Sequence, residues 1–190
     1  MNPALDPVAG GSVNVTAILL FIGAYILGAI PFGVLIAKAQ AGVDIMKVGS
    51  GNIGATNVHR QLGWKASVPV LLLDICKGLV PPIIARALHL SWPPNLSEID
   101  IALMAGFAAV LGHCASPFLK FKGGKGIATI CGATIGATPL VAVAGISAFI
   151  LATLITRYIS VGSIIAVLAA AVAAWALHYD VWVVAAYGAI

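Results

Sequence analysis

The sequence predicts an all-α, polytopic integral membrane protein with seven transmembrane helices, the last of them cut short. Hydrophobic residues make up 61% of the 190 residues and charged residues 8%, and the mean hydropathy is +1.08. Apolar runs this long and this frequent exceed what a soluble core needs, so the bilayer is the solvent. No segment of about ten residues alternates polar with apolar side chains, as a strand of a membrane barrel does. A backbone in lipid must satisfy its own hydrogen bonds, which leaves helices. Residues 1–190 therefore read as a single membrane-embedded domain.

In chain order, Met1 to Val15 holds no Lys or Arg, and the first apolar run is long enough to span, so the amino terminus is not a cleavable signal. The first span covers about Val15 to Ala39, interrupted by Gly28 and by Pro31, whose missing N–H predicts a kink. A polar loop follows from Asp44 to Lys65. The second run, about Ala66 to His89, carries Asp74 and Lys77, then Pro81-Pro82, which should bend or break it before Arg86. SWPPNLSEID connects to a third span over about Ile99 to Ser116, after which comes a lysine-rich loop. Gly126 to Tyr158 is too long for one crossing and divides at Thr138-Pro139. TRYISVGS leads into about Val161 to His178, and Asp180 opens the last apolar segment. From Asp180 to Ile190 a helix rises only about 16 Å, against a hydrocarbon core of about 30 Å. The chain is thus expected to end inside the membrane, short of a cytoplasmic carboxyl-terminal segment.

Counting along these spans, Lys38, Lys47, Arg60, Lys65, Lys120, Lys122, Lys125 and Arg157 fall on one side and only Arg86 on the other. The positive-inside rule makes the basic side cytoplasmic and leaves the amino terminus outside with Asp6, Glu98, Asp100 and Asp180. Trp92, Tyr179 and Trp182 then belong to an outer aromatic belt, and Trp64 and Tyr158 to an inner one. A net charge of +4 would suggest nucleic acid in a soluble protein, but here it is topology, and no nucleic-acid partner is expected. Cys76, Cys114 and Cys131 are an odd number without disulfide or metal-ligand spacing and read as small packing residues.

The chemistry collects in the basic breaks. GHCASPFLKFKGGKGIAT, from Gly112 to Thr129, holds three of the ten Lys and Arg. A cation at the bilayer centre costs about 2.5–3.5 kcal/mol, so Lys120, Lys122 and Lys125 must meet water or an anion. Gly123, Gly124 and Gly126 would let a phosphate approach the backbone N–H groups, with the Lys125 ammonium beside it. The plainer alternative, topology-setting charge, leaves those glycines unexplained. Lys125 is followed by Gly126 rather than Ser or Thr, so this is not an ATP-binding P-loop. His113 suits a base or a phosphate ligand, and equally a hydrogen-bonded structural histidine.

GSGNIGATNVHR, from Gly49 to Arg60, contains a literal GxGxxG, but no strand precedes it and a dinucleotide site is excluded. Ser50, Asn52, Thr56 and Asn57 offer neutral hydrogen-bonding groups, Gly51 and Gly54 permit close approach, and Arg60 grips phosphate or carboxylate with a planar fork. The alternative is a capped loop carrying inside-positive charge. Arg157, Ser160 and Ser163 repeat cation plus hydroxyl on the same side, against an interfacial Arg and a helix cap. Asp74 and Lys77 stand one turn apart inside a span, close enough to pair, structurally or catalytically. Gly132 and Gly136 form a small-xxx-small pair that predicts close helix packing. Three basic loops on one side can converge on phosphorylated ligands, which fits an interfacial enzyme acting on a lipid precursor. Transport of a phosphorylated small molecule is the alternative, kept open by Pro31, Asp74 and Pro81.

Taken together, SGNIGATNVHR, LLDICKG, GHCASPFLKFKGGKGIAT and TRYISVGS closely resemble, in order and over nearly the whole chain, the bacterial acyl-phosphate:glycerol-3-phosphate acyltransferases of the PlsY type. The resemblance implies a seven-helix inner-membrane enzyme that moves a fatty acyl group from acyl phosphate to the 1-position of sn-glycerol 3-phosphate, giving lysophosphatidic acid and phosphate. It implies no cofactor and no direct use of acyl-CoA, and links the enzyme to a soluble one that makes acyl phosphate. A metal is not evident, because carboxylates are scarce in the cytoplasmic loops. The His-Asp dyad of other glycerolipid acyltransferases, five positions apart, is absent: His59 is followed by Trp64, His89 by Pro94 and His113 by Phe118. The family's route is substrate-assisted, an acyl-phosphate oxygen taking the proton of the attacking hydroxyl while the protein aligns the substrates. By the same resemblance Ser50, Arg60, Lys125 and His113 are the catalytic candidates. Gly51, Asn52, Gly54, Thr56, Asn57, Lys122, Gly123, Gly124, Gly126, Thr129, Arg157 and Ser160 are the substrate-binding ones. Family members continue with a segment containing His, Asn, Arg and Glu, so the 190-residue chain is expected to be inactive or severely impaired.

Overall fold

The computed structural model describes residues 14–91 and 96–188, and among them every regular element is helical. Helices α1 (Val15–Ala29) and α2 (Phe32–Ala41) are halves of the first apolar run. Asn14 caps α1 by accepting from the Ala17 N–H at 3.1 Å. The run breaks where expected, at Ile30-Pro31, and resumes at once. A 3-10 turn (Ile45–Lys47) and the short helix α3 (Ala55–Leu62) precede α4 (Trp64–Ala87) and α5 (Glu98–Cys114). A capping box of Ser97 and Asp100 starts α5. A second 3-10 turn (Pro117–Leu119) leads to α6 (Ile127–Ala137), α7 (Pro139–Thr156), α8 (Ile159–Ala176) and α9 (Val181–Gly188).

All seven expected apolar segments are helical. Five, Val15–Ala41, Trp64–Ala87, Glu98–Leu119, Pro139–Thr156 and Ile159–Ala176, are long and apolar enough to cross a membrane. The 11 residues of α6 rise only about 16 Å and fall short of the hydrocarbon thickness. Asp6, Trp92, the side chain of Trp182 and the expected end of the last segment lie outside the described residues.

Two expectations are corrected. The stretch Asp44–Lys65 is not all loop, because α3 lies within it and α4 starts already at Trp64. Local sequence hides α3 between Gly54 and Gly63; what forms it is a one-sided apolar contact, Val58 packing with Ile45 and Ile53 in a buried cluster. Nor do Pro81-Pro82 break α4, which runs on to Ala87. Both prolines are fully buried, and Pro82 faces the bare Cα of Gly136 on α6. Packing against a neighbouring helix thus offsets the lost backbone bonds, as it does in membrane bundles generally.

The packing uses small residues where helix backbones meet. A Cβ at Gly132 would strike the Ile75 carbonyl, and one at Gly136 would come 2.8 Å from the Leu79 carbonyl oxygen, so the predicted small-xxx-small pair seats α6 on α4. Helices α1 and α5 meet in the same way at Gly28 and Gly112. Their ends are stapled by Ser116 Oγ donating to the Ala29 carbonyl at 2.6 Å and Tyr25 Oη to the Ala115 carbonyl at 2.7 Å. The close core of α1, α4, α5 and α6 carries the loops that follow; α7, α8 and α9 flank it.

Candidate active site

The first basic loop is built around Asn57. Its side-chain oxygen accepts from the Ser50 N–H at 3.1 Å, and its amide nitrogen lies within hydrogen-bond reach of the carbonyls of Ile45, Val48 and Asn52 at 3.2, 3.1 and 2.9 Å. Gly49 has φ +60, and a Cβ there would strike that same side-chain oxygen, so only glycine passes. Asn52 closes the loop by accepting from the Gly54 N–H at 2.8 Å. With Asn57 turned inward, Ser50, Thr56 and Arg60 are exposed, while Gly51 and Gly54 are half-buried. Asn57 therefore orders the loop from inside instead of lining an open pocket, because all its polar capacity has internal partners.

The second loop is seated on the end of α5. The Gly124 N–H donates to the His113 carbonyl at 3.1 Å, and the His113 ring lies flush against Gly124, where a Cβ would collide with Nε2. Gly123 lies as tightly on the His113 and Cys114 carbonyls. These two glycines thus serve close packing, and the Gly124 N–H is not free for a ligand as the sequence reading expected. Lys120 and Phe121 both hold positive φ, 55 and 60, a conformation costing about 1–2 kcal/mol each outside glycine. The Phe121 N–H bonds the Ser116 carbonyl at 2.8 Å and sustains it. Strained backbone of this kind gathers at functional loops. Gly126, φ +77, caps α6, whose first N–H groups have no intrahelical partner and mark its positive end.

Leu119 of the second loop packs against the cluster containing Ile53 and Val58 of the first, so tertiary contact brings these two together. Arg60, Lys120, Lys122 and Lys125 are exposed. The ion pairs among the described residues, Lys47–Asp44, Lys77–Asp74, His89–Glu98 and His113–Asp74, include none of them. Arg157, at φ +61, ends α7, and Ser160 opens α8, both exposed; no described contact joins them to the two loops. Thr129 is fully buried. It sits where α6 crosses α4, its carbonyl against Gly78, and not on an open loop face. No group of three metal-ligating side chains occurs among the described residues.

His113 is 4% exposed, and its Nδ1 lies 3.7 Å from Asp74 Oδ1, the oxygen that Lys77 Nζ approaches to 2.8 Å. The i,i+3 pair was legible as charge inside an apolar run; its meeting with His113 was not.

The family model described as glycerol-3-phosphate acyltransferase matches residues 18–190. A glycerol-3-phosphate acyltransferase of Geotalea daltonii is 51% identical over 149 residues, covering 78% of this chain and 73% of the relative. One from Chlorobaculum tepidum is 44% identical over 158 residues, 81% of this chain and 68% of the relative. Two crystal structures of PlsY, an integral membrane glycerol 3-phosphate acyltransferase, are 40% identical and cover 92% of this chain and 85% of theirs. They have TM-scores of 0.82 for the glycerol 3-phosphate form and 0.80 for the lysophosphatidic acid form.

Proposed function

Since the chain belongs to the glycerol-3-phosphate acyltransferase family, we propose that it uses acyl phosphate as the donor and acylates the 1-hydroxyl of sn-glycerol 3-phosphate. The hydroxyl oxygen attacks the acyl carbonyl carbon, the carbon–oxygen bond to phosphate breaks, and the hydroxyl proton passes to a phosphate oxygen. The products are lysophosphatidic acid and inorganic phosphate. Phosphate leaves readily once its charge is held, so cations and alignment carry most of the barrier.

One observation supports this best: two loops packed together through Leu119 present Arg60, Lys120, Lys122 and Lys125 without carboxylate partners among the described residues. In this reading Ser50 and Arg60, with Lys125, hold phosphate, and the Gly123–Gly126 loop with the start of α6 takes glycerol 3-phosphate. Gly51, Asn52, Gly54, Thr56, Asn57, Lys122 and Thr129 shape the pocket, and Arg157 and Ser160 complete it. The apolar helix faces hold the acyl chain. The protein is a multi-pass membrane protein. We place it in the bacterial inner membrane with these loops cytoplasmic and the amino terminus outside, fed by a soluble acyl-phosphate-forming enzyme. The transport reading loses one of its supports because α4 continues through Pro81-Pro82, leaving the Pro31 break and the buried Asp74.

The test is phosphate release from acyl phosphate by membranes carrying the full-length protein, with and without glycerol 3-phosphate, beside acyl-CoA and Arg60→Ala controls. Release that needs glycerol 3-phosphate, yields lysophosphatidic acid and falls in the variant supports the assignment. Equal turnover of acyl-CoA refutes the donor, and no turnover with any donor refutes the enzyme.

A further inference from the structure

We infer that Asp74, Lys77 and His113 form one buried polar network beneath both anion-binding loops, in which Asp74 is a positioning residue that sets the two loops relative to each other. The inference rests on the acyltransferase reading of those loops. Asp74 and Lys77 are each 2% exposed and His113 4%. Replacing a buried ion pair by a well-packed apolar pair of the same volume is often neutral or stabilising, and ionisable side chains inside a span are costly, so packing alone does not account for these three residues.

The network has two arms that meet at one atom, Asp74 Oδ1. Along the first, Lys77 Nζ stands 2.8 Å from that oxygen and donates to the Ile30 carbonyl at 3.1 Å, with the Phe32 ring centroid 5.6 Å away. Ile30 and Phe32 flank the Pro31 break, and the next residue, Gly33, lies directly on the Ile53 carbonyl of the first loop. The Ile30 carbonyl also accepts from the Phe32 N–H at 3.1 Å, so Lys77 adds a second bond at the break and holds the point where α2 sets off toward that loop. Along the second arm, His113 Nδ1 faces Asp74 Oδ1 at 3.7 Å, about 0.5 Å beyond hydrogen-bond reach. His113 Nδ1 is buried without a hydrogen-bond partner among the described residues, while Asp74 Oδ1 is held by the Lys77 ammonium. A carboxylate at Nδ1 favours the tautomer with its proton there. The other edge of the ring is the seat of Gly124, one residue before Lys125.

The experiment is steady-state kinetics of the full-length enzyme with glycerol 3-phosphate varied, for Asp74→Asn, His113→Gln and their double variant, each checked by thermal unfolding. Arg86→Gln, on the opposite end of α4, is the control and leaves KM unchanged. Each single change is expected to raise KM for glycerol 3-phosphate about tenfold. If Asp74 acts through His113, the double variant stays near tenfold, where independent effects would multiply to about a hundredfold. Asp74→Asn also leaves Lys77 unpaired, so Asp74→Asn/Lys77→Gln is measured beside it. Should both aspartate variants fail to fold, His113→Gln, which keeps the ion pair, decides. Unchanged KM in a folded variant, or multiplicative effects in the double, overturns the inference while the function stands. An unmodified enzyme without glycerol 3-phosphate-dependent turnover overturns the function and this inference with it.

Discussion

Gly124→Ala adds one methyl group where the second loop meets α5. The new Cβ would collide with His113 Nε2 and stand 2.9 Å from Cε1 and 3.0 Å from Cδ2 of that ring. Gly124 does not have positive φ, so alanine is allowed by the backbone and the cost is steric alone. The ring has little room to retreat, being 4% exposed with Asp74 behind it; the loop must lift instead. Overpacking of this kind costs about 1–3 kcal/mol. If the bound state requires the seated loop, that corresponds to roughly 5- to 150-fold in kcat/KM for glycerol 3-phosphate. The assay is phosphate release with glycerol 3-phosphate varied, and Gly23→Ala, whose Cβ would meet nothing within 4 Å, serves as the control. A Gly124→Ala enzyme with unchanged kcat and KM would show that the His113 seat does not govern the loop.

Arg60→Lys keeps the charge but loses the planar fork, and is expected to lower kcat by about tenfold, against roughly a hundredfold for Arg60→Ala in the same assay. Asn57→Asp places a carboxylate against the carbonyls of Ile45, Val48 and Asn52, where the amide now donates. It should destabilise the first loop by about 1–3 kcal/mol, read as a lower melting temperature in detergent together with loss of activity; a melting point equal to wild type would contradict the buried network. Gly132→Ala drives a methyl into the Ile75 carbonyl and to 2.9 Å from the Leu79 nitrogen. Because backbone cannot swing aside, the α4–α6 seat should lose about 1–3 kcal/mol, again measured by thermal unfolding in detergent.

Much of the architecture was legible along the chain because lipid leaves the backbone few choices. Span positions follow from apolar runs, the break at Pro31 from a missing donor, and the α6 contact face from Gly132 and Gly136 at one helical turn. The misreadings share a cause. Helix α3 is short and bounded by glycines, so its existence depends on Val58 finding Ile45 and Ile53. Pro81-Pro82 look like a helix end because their cost is local, whereas the packing against Gly136 that offsets it comes from another helix.

The same division runs through the candidate site. Sequence by itself determined its ingredients, the cations Arg60, Lys120, Lys122 and Lys125 with their glycines, since charge in so apolar a chain is confined to a few breaks. Only the tertiary structure decided which ingredients look outward. Asn57 and Thr129 turn inward, Gly123 and Gly124 rest on α5, and a histidine that has no aspartate five positions along finds one on α4. Side-chain chemistry is written residue by residue, but whether a polar group meets ligand, lipid or another buried group depends on contacts between helices far apart in the chain.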